Sequence, residues 1–267
     1  MGDRLLGEIV ALSPSSLDTW SRCHREFLAG VLLGVPPSDT GPSPDQGLLV
    51  HDLLRHVHRH GSCRDDEHIA QVLEAHGLAS SSTIRGFVER HARRCPSDAD
   101  AGQHEVERAR FHRLPPPMFM ATARLDAIWR HRGLLDARDY KTGRPFIERV
   151  ADDPRARLQA WLLAPLARAE GLRLRLRYEF LAAEVDDDPE PFEPDDDELV
   201  AIEEELRDVV VAINNETSFA GVSDRETCAR CRYRSICPDS AAPGVPTWPV
   251  PPGQGSTAEV AAAAHAR

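Results

Sequence analysis

At 267 residues, with 41% hydrophobic and 28% charged residues, the chain has the composition of a globular protein long enough to bury a large core. No apolar run approaches the roughly 20 residues that cross a bilayer, and Met1 to Leu6 is too short and mixed for a secretory signal, so a cytoplasmic protein without a membrane partner is expected. The net charge of −11 speaks against a nucleic-acid partner only until its distribution is read: Asp186 to Glu205 holds twelve acidic residues and no basic one, which leaves the remainder near neutral and arginine-rich.

In chain order, Ser13-Pro14-Ser15-Ser16 is a capping sequence for a helix bearing Leu17, Trp20 and Phe27. A Pro-, Gly-, Ser- and Asp-rich loop follows over 34–45. Leu49, Leu53, Leu54 and Val57 recur at helical spacing and predict a helix from about Gln46 to His60, with two more over about 66–77 and 81–95. The pattern then changes to strands at Glu105–His112, Met118–Arg130 and Leu134–Tyr140, the last two joined by a hairpin turn at His131-Arg132-Gly133. Residues 154–170 are helical again. Leu172 to Tyr178 alternates strictly, with Arg173, Arg175 and Arg177 on one face, read as solvated with phosphate contact as the lesser alternative. After the acidic block, read as a solvated loop and helix start, Leu199, Ile202, Leu206, Val209, Val210 and Ile213 mark a last long helix. From Ala241 the chain is aperiodic Pro, Gly, Ala and Ser, expected to be a disordered tail. The order predicts an α/β fold, a mixed sheet flanked by helices. The expected organisation is one domain over 1–240: a helical portion at about 14–95, an α/β core at about 104–184, and a C-terminal helix with a cysteine motif over 196–238.

Asp139-Tyr140-Lys141-Thr142-Gly143 is the most informative stretch. Lys141 is the single lysine among 32 basic residues. Arginine is a planar fork that stays protonated, whereas lysine is a compact ammonium whose pKa moves. On a strand, Asp139 and Lys141 share a face. Asp126 sits near the end of the preceding strand, and antiparallel neighbours can bring both carboxylates to one place, where a hard cation such as Mg²⁺ or Mn²⁺ relieves their repulsion. Lys141 beside them could orient a water or offset charge building on a phosphate. The plain alternatives are an Asp139–Lys141 ion pair and an Asp126 that caps a strand end or pairs with Arg124 or Arg144. Among the histidines of the second long helix, His51 and His58 share a face, as metal ligand or as satisfied core residue.

Cys228-x2-Cys231-x5-Cys237 has the spacing of a thiolate metal centre, zinc or iron–sulfur, and both take four ligands. Cys23, in Ser21-Arg22-Cys23-His24-Arg25-Glu26-Phe27, is the expected fourth. Cys63 follows a helix end and Cys95 lies in a polar stretch, neither with a supporting neighbour in sequence.

Together these motifs resemble RecB-type nucleases of the PD-(D/E)XK superfamily, similar to CRISPR-associated exonucleases with a C-terminal iron–sulfur motif. Leu12 to Leu17 with Cys23 to Phe27, Gly47 to Leu54 around His51, Arg124-Leu125-Asp126, Asp139 to Gly143, and the three late cysteines follow that family's order over about residues 12–238. The resemblance implies a restriction-endonuclease-like fold and a metal-dependent deoxyribonuclease, an exonuclease on single strands or ends in DNA repair, recombination or CRISPR-like processing. It implies that His51, Asp126, Asp139 and the Tyr140 backbone carbonyl hold the divalent metal, that Lys141 positions the attacking water, and that Gln159 helps hold DNA and the site. Cys23, Cys228, Cys231 and Cys237 would carry a [4Fe–4S] cluster stapling the two ends of the chain, with Zn²⁺ as the alternative. Two positions depart from the family pattern: Leu163 stands where a tyrosine is usual, and Ala123 where a glycine is usual. No GxxxxGK[ST] loop is present, so unwinding would need a separate helicase or repair partner. A binding or docking subunit that keeps the fold and cluster is the rival reading.

Overall fold

The strand Phe119–His131 (β3) is the spine of a mixed five-stranded sheet. Its residues alternate between buried and more exposed from Phe119 to Asp126, and then Ala127, Ile128 and Trp129 are all buried. That switch marks where the sheet passes from one covered face to two. The computed structural model describes residues 10–37, 45–60, 62–96, 104–113, 119–184 and 187–241; apart from Ala241, the expected tail lies outside them. The chain divides into two compact units, one of Gly7–Pro14 with Pro44–Val211, the other of Met1–Leu6, Ser15–Ser43 and Ala212–Arg267.

In the first unit, the strand His104–Arg113 (β2) runs antiparallel along β3 from Met120 to Trp129. Ala121 pairs with both His112 of β2 and Leu12 of the short parallel strand Val10–Leu12 (β1), so β1 must lie on the other edge. Ala127 likewise pairs with both Val106 of β2 and Arg138 of the strand Leu134–Lys141 (β4). One edge of β3 is therefore shared by β1 at 119–121 and β4 at 127–131, with residues 122–126 between them unclaimed by either. Asp126 falls at the lip of that gap. The β3–β4 hairpin turns on Arg132 and Gly133, both at positive φ (50° and 74°), the twist a two-residue hairpin needs.

The strand Arg173–Phe180 (β5) lies parallel to β4 in register from Leu134↔Arg173 to Lys141↔Phe180. A parallel pair requires a crossover, supplied here by a helix. That helix, Pro154–Ala169 (α6), starts on Asp153, whose carboxylate caps Arg155 N–H at 2.9 Å, takes the Arg155 guanidinium and accepts from Tyr178 Oη at 2.9 Å. These bonds hold the Asp153 pKa below its ordinary 3.8 against the opposing effect of burial, and they fix the first turn of the helix that carries Gln159. The helices Asp45–His60 (α3), Asp66–Ala75 (α4) and Ser82–Arg94 (α5) bury Leu53, Leu54, Leu73 and Val88 in one core with Trp129, Tyr140 and Leu181.

The acidic block does more than meet solvent. Asp188 takes Arg94 and the Phe180 N–H, Glu193 takes Arg173 and Arg175, and Glu205 takes Arg157. Arg177 meets the buried Asp136 at 3.2 Å. The arginine face of β5 is thus partly neutralised by the acidic segment, which corrects the expectation of a simply solvated strand face.

The second unit contains most of the helix Pro14–Arg22 (α1), the short helix His24–Phe27 (α2), a π-turn at Leu28–Leu32, the end of the helix Asp196–Asn215 (α7), and the helix Arg225–Arg230 (α8). Trp20 stacks on His24 at 3.7 Å and meets Phe27 and Phe219 edge-on. Gly30 lies against Tyr233: a Cβ there would stand 2.8 Å from Tyr233 Oη, which donates to Val35 O at 2.9 Å.

Candidate active site

Past the pair Ala127–Arg138, the β3–β4 ladder would next set Asp126 opposite Asp139. At that point the Asp126 carboxylate itself accepts from the Tyr140 backbone N–H at 2.8 Å, so a side chain takes over the role of the ladder where the strands part. The second Asp126 oxygen meets His51 Nδ1 at 2.8 Å, which brings α3 to the gap. Asp139 is met by Lys141 Nζ at 2.8 Å and by Gln159 Nε2 at 3.3 Å. Lys141 also lies 4.6 Å over the Tyr178 ring on β5. His51, Asp126, Asp139, Lys141 and Gln159 thus converge from α3, β3, β4 and α6.

The electrostatics suit a cation. Burial disfavours a charged His51, but the hydrogen bond and charge of Asp126, with the charge of Asp139, outweigh it and raise the imidazole pKa. Burial also raises the pKa of Asp126, and Asp139 adds to the rise despite the opposing His51 bond. An Asp126 carboxylate pushed by burial toward its protonated form, with a second carboxylate and an imidazole beside it, makes a site whose crowding a hard divalent cation would relieve. Gln159 Oε1 is buried with no hydrogen-bond partner among the described residues, an acceptor left over in the same place. The donor set fits one Mg²⁺ or Mn²⁺, which takes one or two carboxylates and keeps waters. The side chains of His51 and Lys141 remain 26% and 23% exposed, so a ligand can reach them.

Both departures from the family pattern have local explanations. Ala123 is buried on β3 and is not among the described residues at positive φ, so glycine is not required there. Leu163, one turn beyond Gln159, is fully buried, so that position offers packing and no hydroxyl.

The four expected cluster ligands line one recess in the second unit, beside Glu26, Ala29, Val222 and Tyr233. Cys23 caps α2, Cys228 lies in α8 and Cys231 ends it. Backbone N–H groups of Tyr233 and Ala241 each point at a sulfur, Cys231 Sγ and Cys228 Sγ, at 3.4 Å. Burial pushes the Cys231 thiol up to about 12 and Cys237 upward as well. Four cysteines lining one recess, two buried and two half-buried, with amide donors on two of the sulfurs, would suit a thiolate-bound metal centre, which supplies the positive charge that thiolates need.

Cys63 and Cys95 are not isolated, and here the expectation is corrected. With His58 and His91 they place four ligand atoms within 4.8 Å of one another, the one group of this kind among the described residues. The four residues are hard to group from sequence, because His58 and Cys63 stand some 30 residues before His91 and Cys95.

Of three comparisons with known proteins, one identifies a family. The model of a family described as the PD-(D/E)XK nuclease superfamily matches residues 11–238. No curated protein matches. Among solved structures, one described as "Crystal structure of SSO0001" is 15% identical, covering 90% of this chain and 94% of that chain at a TM-score of 0.40.

Proposed function

From the premise that the chain belongs to the PD-(D/E)XK nuclease superfamily, and has its α/β restriction-endonuclease-like fold, we propose that it hydrolyses phosphodiester bonds in DNA with a divalent metal. The observation that carries this reading is the convergence of His51, Asp126, Asp139, Lys141 and Gln159 at the parting of β3 and β4. His51, Asp126 and Asp139, with the Tyr140 carbonyl beside them, would hold Mg²⁺ or Mn²⁺, which supplies Lewis acidity toward the scissile phosphate. The Lys141 ammonium, held between Asp139 and the Tyr178 ring, would orient the incoming water by hydrogen bonding and offset charge building on the phosphate oxygens. In the reaction a water oxygen bonds to phosphorus as the bond to the leaving oxygen breaks, giving a phosphate monoester and a hydroxyl end.

Single strands or ends are the proposed substrate. Phe146 is 56% exposed, and its ring lies 6.5 Å from that of Tyr178, the ring under Lys141. An exposed aromatic one ring removed from Lys141, with the Arg155 guanidinium 5.3 Å over it, would offer a platform for an unpaired base. The exposed Arg124 shares a strand face with Asp126 and can meet a phosphate. A [4Fe–4S] cluster on Cys23, Cys228, Cys231 and Cys237 is the proposed occupant of the cysteine recess, with zinc as its rival. DNA repair, recombination or CRISPR-like processing, with a separate helicase or repair partner, is the proposed setting. Among the described residues no helix is long and apolar enough to cross a membrane.

The test is Mg²⁺- or Mn²⁺-dependent release of nucleotides from end-labelled single-stranded DNA by anaerobically purified protein, with Asp126→Ala as control. Release that needs both the metal and Asp126 supports the reading. Binding of the same DNA without release would make the chain a docking subunit, a reading the buried Leu163 favours by withholding a hydroxyl from the site.

A further inference from the structure

The second cluster of metal-ligating side chains is in the same unit as the catalytic gap but separate from it. His58 lies in the last turn of α3, with Cys63 just beyond that helix. His91 lies in the last turn of α5, and Cys95 is the residue on which that helix ends. The Nε2 atoms of His58 and His91 face each other at 2.7 Å across 33 residues of sequence. Cys63, Cys95 and His91 are each at most 2% exposed, and both thiols are free. All four ligand atoms fall within 4.8 Å of one another.

We propose that His58, Cys63, His91 and Cys95 form a structural zinc site that clips the C-terminal ends of α3 and α5 together beneath the sheet. The donor set is the first reason. Two thiols and two imidazoles suit borderline Zn²⁺, whereas the hard Asp and His site at the catalytic gap suits Mg²⁺ or Mn²⁺. The second reason is the outer shell. His91 Nδ1 is tied to Glu179 at 2.5 Å, and the Glu179 carboxylate is held by Arg138 at 3.3 Å. A buried carboxylate on the far nitrogen fixes the ring and leaves Nε2 to bind, the usual arrangement behind a zinc-bound histidine. The third is electrostatic: both ligand pairs lie at helix C-termini, where the backbone dipoles favour a cation. Bond lengths of ~2.0–2.3 Å around tetrahedral zinc set ligand atoms about 3.3–3.8 Å apart, so the group needs only a small adjustment, including a modest opening of the two imidazoles.

The consequence for function runs along α3 and β4. His51 stands two turns before His58 on α3, and Tyr140 packs its ring between the two regions, 6.1 Å from His51 and 5.0 Å from His91. Zinc at the end of the helix would hold His51 in register with Asp126.

Zinc in full-length protein from zinc-supplemented medium is measured per chain for wild type, Cys95→Ser and Cys237→Ser. The proposal predicts about one zinc that Cys95→Ser removes and Cys237→Ser keeps. Wild type without zinc, or zinc indifferent to Cys95→Ser, overturns it, as does a Cys63–Cys95 disulfide in the native protein by peptide mass mapping. If Cys95→Ser does not fold, zinc-edge X-ray absorption of wild type decides. A shell containing both imidazole and thiolate supports the site, and a shell of sulfur alone or of oxygen alone contradicts it.

Discussion

The catalytic gap and the buried histidine–cysteine cluster are built around the same unit, a histidine bonded to a carboxylate, with opposite outcomes. At the gap, His51 and Asp126 meet at 2.8 Å, His51 is a quarter exposed, and Gln159 Oε1 has no partner among the described residues. In the cluster, His91 and Glu179 meet at 2.5 Å, both almost fully buried, and Glu179 is fixed by Arg138. The first pair sits where strands part and keeps donors to spare for a ligand. The second sits where helices close, its carboxylate anchored by Arg138 and its ligand atoms sealed from solvent. Open valence beside solvent suits a reactive site, and the same chemistry sealed in the core suits a staple.

Substitutions should separate the two regions by what they damage. The largest effect is expected at the gap: Asp139→Ala should lower DNA cleavage by about 10³-fold or more while thermal unfolding stays close to wild type, because it removes a proposed metal ligand and little packing. Unfolding in step with lost activity would place Asp139 in the structural class instead. In the cluster the pattern reverses. Glu179→Ala leaves the buried Arg138 and His91 short of their shared anion, and urea unfolding should show a loss of about 3–5 kcal/mol. Phe146→Ala should weaken single-stranded DNA binding by about 1–3 kcal/mol, read as a raised KM with stability unchanged.

Asp153 gives the smallest step and a pH signature. Asp153→Ala should cost about 1–2 kcal/mol by uncapping α6. Its folded pKa lies below the ordinary 3.8, so its contribution is full above that value and is lost as the pH falls through the folded one. The wild-type advantage over Asp153→Ala in unfolding free energy should therefore shrink in acid and hold near neutrality. An advantage that does not change with pH would assign Asp153 a packing role.

What the sequence made legible follows from range. The strands of the hairpin show as alternation, and Asp126 and Asp139 show because a short turn sets their register. Cys228, Cys231 and Cys237 stand out because three cysteines crowd into ten residues. His58 and His91 do not show, since their meeting depends on how α3 and α5 cross beneath the sheet. The pairing of Arg173 and Arg175 with Glu193 was hidden for the same reason: two oppositely charged segments looked separately solvated until the chain folded one over the other.

The central claim is that this gap cuts DNA with the chain's single lysine at work. The measurement that meets it most directly is single-turnover cleavage of end-labelled single-stranded DNA in saturating Mg²⁺ by wild type and Lys141→Ala, with DNA binding measured alongside. The account predicts a fall of about 10²–10⁴-fold in the cleavage rate with binding retained. Equal rates in the two proteins would contradict it.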